Sequence, residues 1–149
     1  MKSRLHRRSL VLLAALAPFA SLAQTVPGFG PVPAIEVVEN EWLYVKRPVI
    51  IFADSPNDPS FIRQMELLSR SYDELEARDV LLIIDTTPEP PSPLRLKLRP
   101  RGFSLVLMDK DWRVAIRKPL PWEGREIINS IDKMPIARAE ALEKNPAGR

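Results

Sequence analysis

The sequence predicts an α/β domain with a central mixed β-sheet flanked by helices. Three observations carry this. Residues 49–53 and 80–84 are short, unbroken apolar runs rich in β-branched side chains, the pattern of strands buried on both faces. Between them Phe61, Met65, Leu68, Tyr72 and Leu75 recur at spacings of four, three, four and three, which lines them along one helical face. Further on, the runs 103–108 and 112–117 flank Asp109-Lys110-Asp111, which reads as an antiparallel hairpin.

A length of 149 residues suits one domain, and the chain divides as follows. Residues 1–23 carry a basic start to Arg8, an apolar stretch over 10–20, and Ser21-Leu22-Ala23 before Gln24. That is the pattern of a secretory signal peptide. The apolar stretch is shorter than the roughly 20 residues a membrane-spanning helix needs, so no stable membrane insertion is expected after cleavage. Arg7-Arg8-Ser9-Leu10 weakly resembles a twin-arginine export motif. The expected location is periplasmic or secreted. Residues 24–40 read as a Pro/Gly-rich linker, with three prolines and two glycines in 24–34. Within 35–44 two readings stand: an edge strand through Ile35, Val37 and Val38, or a short helical turn over 36–44. Trp42 and Tyr44 are expected to pack on the sheet.

The domain proper is expected over 41–136. Asp58 suits an N-cap and Pro59 the first helical position, so a helix is predicted from there to about Ala77, with Arg78-Asp79 turning into the next strand. A strand, helix, strand unit of this length implies a right-handed parallel crossover. Residues 86–93 hold four prolines and read as a stiff exposed loop. Leu94, Leu96 and Leu98 alternate with Arg95, Lys97 and Arg99, which fits a two-faced strand or a short helix. The last helix presents Ile127, Ile128, Ile131 and Met134 and is expected to end at Pro135. Residues 137–149 read as a polar C-terminal tail. The order β-α-β, β-hairpin, α is that of a thioredoxin-like architecture.

Composition excludes several chemistries. There is no cysteine, and the single histidine, His6, lies in the expected signal segment. Thiol redox chemistry, Cys nucleophiles, Ser-His-Asp triads and Cys/His zinc sites are therefore ruled out for the mature chain. The sequence pI of 9.4 suggests nucleic acid at first sight. Yet Lys2, Arg4, Arg7 and Arg8 all fall within residues 1–23; without them the 22 basic residues drop to 18 against 19 acidic ones. No basic footprint for a phosphate backbone remains, and no nucleic acid is expected.

Several strings resemble the bacterial proteins of domain of unknown function family 4174. They are Trp42 followed by Arg47-Pro48-Val49-Ile50-Ile51-Phe52-Ala53, then Val106-Leu107-Met108-Asp109-Lys110-Asp111, then Ile131-Asp132-Lys133-Met134-Pro135 continuing through Ile136-Ala137-Arg138-Ala139-Glu140. The resemblance spans roughly 41–142. It implies a thioredoxin- or peroxiredoxin-like fold and favours a helix or turn over 94–98. The family pattern after Met-Pro is a pair of arginines and a glutamate; Ala137 replaces the first arginine, and Arg138 and Glu140 match. The resemblance carries over no catalytic residue.

Thioredoxin-like enzymes act at the loop joining the first central strand to the next helix, where the helix N-terminus favours a thiolate or anion. Here that loop is Asp54-Ser55-Pro56-Asn57-Asp58, without a thiol. Asp54, Asn57 and Asp58 could hold a hard cation or simply cap the helix. Asp85 ends a parallel strand, where ligands often bind, and is a candidate base or a turn cap. The usual cis-proline position before the third strand is taken by Arg101-Gly102-Phe103. Asp109 and Asp111 read as hairpin-turn residues. The basic run Arg95, Lys97, Arg99, Arg101 would face an acidic partner, lipid headgroups or plain solvent. Candidate ligand or partner contacts are thus Asp54, Ser55, Asn57, Asp58, Asp85, Arg99, Arg101 and Arg138, with no cofactor and no metal site assigned. The expectation is an exported, non-catalytic module that binds a protein partner in the cell envelope. The alternative is an enzyme or a small-ligand or metal binder working through carboxylates at Asp54, Asp58 or Asp85.

Overall fold

The computed structural model describes residues 28–146. The expected signal peptide, residues 1–23, lies outside the described residues, as do 24–27 and 147–149. The strands are β1 (Val32–Pro33), β2 (Arg47–Phe52), β3 (Val80–Asp85), β4 (Ser104–Met108) and β5 (Val114–Lys118). The helices are α1 (Glu39–Trp42), α2 (Pro59–Ser69), α3 (Tyr72–Glu76), α4 (Pro93–Leu98), α5 (Gly124–Ile131) and α6 (Pro135–Lys144).

The five strands form one sheet in the order β1-β3-β2-β4-β5. β3 runs parallel to both β1 and β2, while β2/β4 and β4/β5 are antiparallel, so the sheet is mixed as expected. Alternation along the central strands separates two apolar layers. Val49, Ile51, Leu82, Leu105 and Leu107 face Phe61, Leu68, Leu75, Ile127 and Ile131. Ile50, Phe52, Ile83, Val106 and Met108 face Ala34, Leu94, Leu98 and Trp112. Among the described residues, no helix is long and apolar enough to cross a membrane.

Five expectations differ from the structure. The linker over 24–40 is partly sheet: Val32 pairs with Ile83 and Pro33 with Ile84, and Ala34 is only 3% exposed. Proline composition suggested a linker, but an edge strand tolerates proline because one of its rims needs no donor. Over 35–44 the second reading holds: no strand forms, and after a 3-10 turn (Ala34–Glu36) comes the short helix α1. Trp42 does pack on the core, but Tyr44 is 67% exposed, turned out by a positive φ of 62°.

The helix expected to run to Ala77 breaks at Arg70-Ser71. The first residue of α5 sits in that break: a Cβ on Gly124 would come within 2.6 Å of Ser71 Oγ and 3.1 Å of its Cβ, so a larger residue would have to push Ser71 aside. Trp112 does not begin β5 but takes a left-handed turn conformation (φ 58°), with its indole N–H donating to the Lys46 carbonyl. Finally, α5 ends at Ile131, and residues 137–144, expected as a polar tail, are helical in α6, which is opened by Pro135. It occupies the first turn of α6, where a missing N–H costs nothing.

Candidate functional site

The side chains with chemistry gather at the two ends of the sheet. The carboxyl ends of β2 and β3 lie beside the start of β4 and the finish of β5, since Phe52 pairs with both Asp85 and Ser104, and Leu105 with Lys118. Seven of the eight sequence candidates fall at this end.

In the loop after β2, Asp58 caps α2, its Oδ1 accepting from the N–H groups of Ser60 (2.7 Å) and Phe61 (3.2 Å). Ser55 Oγ accepts from the Asn57 N–H, which tightens the turn. Asp54 is exposed and lies 3.6 Å from Arg95 Nη1. Among the described residues no three His, Cys, Asp or Glu side chains converge as metal ligands would. Asp58 and Ser55 thus serve the start of α2.

Asp85 is 6% exposed, and both of its carboxylate oxygens accept hydrogen bonds. Oδ2 accepts from Ser92 Oγ at 2.6 Å. Oδ1 accepts from Arg95 Nε and Nη2 at 3.1 and 2.9 Å and from the Thr87 N–H at 3.3 Å. Ser92 in turn caps α4 by accepting from the Arg95 N–H. Arg95, grouped in the sequence with surface charges, is 8% exposed. Its Nη2 also donates to the carbonyls of Ala53 and Asp85, and the guanidinium lies 5.5 Å from the Phe52 ring centre. Arg95 therefore ties the ends of β2 and β3 together. Asp85 also borders a cavity of about 310 Å³ with Ile84, Thr86, Thr87 and Pro90, but its carboxylate is tied to Arg95 and Ser92.

The other arginines of the run behave differently. α4 ends on Arg99, left-handed at φ 48°, a position where glycine is the usual residue. Gly102, at φ 57°, turns the chain into β4. Together they bring Arg99 and Arg101 beside Arg117 of β5, around a concavity of about 380 Å³ also lined by Phe103, Ser104 and Pro119. Arg117 Nη1 donates to the Leu98 carbonyl at 2.9 Å, which uses one of its five N–H donors. Among the described residues none of these three arginines has a carboxylate partner.

At the opposite end, where β2 and β3 begin, the charges are paired. Arg47 is 2% exposed and donates to Asp109 Oδ1, the Arg78 carbonyl and Glu140 Oε2. Lys110 donates to Asp79 and to the other oxygen of Glu140. Asp109, expected to serve the hairpin turn, is a buried acceptor that also takes the N–H of Ile136 at the start of α6. Burial alone would raise the Glu140 carboxyl; hydrogen bonds from Arg47 and Lys110 more than reverse this and hold it below its ordinary value. Burial would likewise lower Lys110, and Asp79 and Glu140 keep it raised. The groove of about 300 Å³ over this end is walled by Arg47, Arg78, Asp79, Asp132 and Glu140. Arg138, the eighth candidate, is exposed on α6 and stands apart from the rest; its neighbour Glu140 makes the contact instead.

A family model described as domain of unknown function (DUF4174) matches residues 42–140. The chain belongs to the DUF4174 family. Among solved structures, the DUF4174 chain is similar to chloroplastic thioredoxin z at 16% identity and a TM-score of 0.52, over 73% of this chain and 98% of that one. It is also similar to thioredoxin peroxidase I of Plasmodium yoelii at 17% identity and a TM-score of 0.46, over 74% and 84% of the two chains. The likeness to thioredoxin z shows a thioredoxin-type fold. No curated protein matches the sequence.

The strings behind the family resemblance meet at the paired end: Arg47 heads the first, Asp109 and Lys110 close the second, and Glu140 ends the third. None of Arg47, Arg95, Arg117 and Glu140 is among the contacts proposed from the sequence. The available signal was position. Arg47 opens an apolar run, Arg95 stands between core leucines of α4, and Arg117 alternates with Ile116.

Proposed function

We propose that this DUF4174 chain is an exported module that binds a partner protein without thiol chemistry, through the arginine-lined end of its sheet. The observation that carries this is the cleft of Arg99, Arg101 and Arg117, in which three cations converge with no carboxylate partner among the described residues. Arginine forks suit carboxylate pairs in a partner, so the fitting segment is acidic. Two features favour binding over catalysis. The chain has no cysteine, and Asp58 and Asp85 are engaged in a helix cap and an ion pair. Export is supported by the basic, apolar and small-residue pattern of residues 1–23.

The test is a photo-crosslinking residue at Pro119, on the rim of the cleft, in cells that make the protein. A cross-linked protein whose captured segment is acidic, and which disappears with R99E/R101E, supports the proposal. The same product from the charge-reversed chain, or no product from a folded chain, overturns it. Calcium, magnesium and manganese are expected to leave Tm unchanged; a rise with any of them would favour a metal-dependent role, because a ligand of the folded state stabilises it.

A further inference from the structure

We infer that the free edge of β5 takes an extended acidic segment of the partner as an added strand, with its acidic side chains over Arg99, Arg101 and Arg117. This rests on the proposed binding role and specifies how the segment is held. β5 is an outer strand of the sheet, hydrogen-bonded to β4. Strands at sheet edges present a row of unpaired N–H and C=O groups that can template another strand. The opposite edge is a poor template. β1 has two residues, one of them Pro33, and proline lacks the donor a ladder needs.

Side-chain alternation links the β5 edge to the arginine cleft. Ile116 and Trp122 both pack against one apolar layer. Arg117 points to the other side, where it bonds the last turn of α4. An added strand also alternates its side chains. One set would cross the arginines, and the other would pass over Ile116 and Trp122. Lys118 adds positive charge nearby, its Nζ 4.5 Å from the centre of the Trp122 ring. No acidic residue occurs in β5 or over 99–104, so a basic strand would be repelled. Charges on edge strands also guard against aggregation. That role requires no concavity, whereas here three arginines surround one of about 380 Å³.

The experiment uses the full chain as processed by its host and a fluorescent peptide of about eight residues alternating glutamate and valine, long enough for one strand. Two further peptides carry N-methyl groups, one on all glutamates and one on all valines. Each lacks the N–H donors of a single edge. Anisotropy should show binding of the unmodified peptide. One methylated peptide should bind roughly tenfold or more weakly and the other nearly as well, because only one edge pairs with β5. R99E/R101E should weaken the unmodified peptide by a similar factor, and a lysine–valine peptide should not bind. Equal affinities of the two methylated peptides, high or low, overturn strand addition. If R99E/R101E still abolishes binding in that case, the arginine cleft as a binding site survives. No binding of any acidic peptide to a folded chain overturns both.

Discussion

Where β2 and β3 begin, Arg47 and Lys110 lie among Asp79, Asp109 and Glu140, and the charges hold separate segments together. Where the same strands finish, Arg95 is locked to Asp85, but Arg99, Arg101 and Arg117 stand around a cleft with no carboxylate partner among the described residues. Both ends are rich in arginine, yet composition alone does not distinguish a structural arginine from an available one. The difference lies in burial and in what the neighbouring loops present.

The comparison can be broken most severely at Arg47. Arg47→Ala leaves Glu140 without its buried partner and removes the donors to Asp109 and the Arg78 carbonyl. It should cost about 3–5 kcal/mol, the usual result of breaking a buried pair from one side, read from urea unfolding. A loss below ~1 kcal/mol would show that the paired end is not what holds the fold. Asp85→Asn should cost less, about 2–3 kcal/mol, since Arg95 keeps its two backbone carbonyls when the charged acceptor goes. The same unfolding measurement checks it.

A pH series sharpens the contrast further. Glu140 is an acid held below its ordinary value of 4.5, and Asp79, facing the same lysine, is held below 3.8. Their stabilising contributions are complete above those values and are lost as pH falls through the lower folded ones. Lys110 works in the other direction. Held above 10.5, it contributes fully below that value and is lost as pH rises through the higher folded one. α6 has no buried residue, so on acidification below pH 4.5 its amides should lose hydrogen-exchange protection while those of β2 and β3 keep theirs. Simultaneous loss would mean that α6 is no more dependent on charge than the sheet. The smallest effect is expected at the open end. R99E/R101E should shift stability by no more than about 0.5 kcal/mol, as for surface positions without partners, with an unchanged urea midpoint as the readout.

The central strands were legible because unbroken runs such as 49–53 and 80–84 have few alternatives, and α2 was legible from Asp58-Pro59. The misses have local causes. Pro33 suggested a linker because sequence does not reveal that its strand lies at an edge. Pro135 suggested a stop because proline both ends helices and starts them. The polar composition of 137–144 suggested a tail because α6 is anchored by charge and by the half-buried Ala137 more than by an apolar stripe. At the candidate site, Arg99 and Arg101 were identified from the basic run. Arg117 was not, since nothing in the sequence shows that β5 brings it beside them. Arg95 was assigned to the same surface as its neighbours, because charged residues are rarely buried unless a partner such as Asp85 is known.

The attachment of α6 has a consequence in time. Glu140 is 93 residues from Arg47 and 30 from Lys110, and its receptor exists only after β2 and the β4–β5 turn have come together. Closing so long a loop before the sheet forms would cost chain entropy with nothing to offset it. α6 is therefore expected to dock late, after the rate-limiting step. Glu140→Gln should leave the refolding rate nearly unchanged and speed unfolding, which stopped-flow chevrons would resolve.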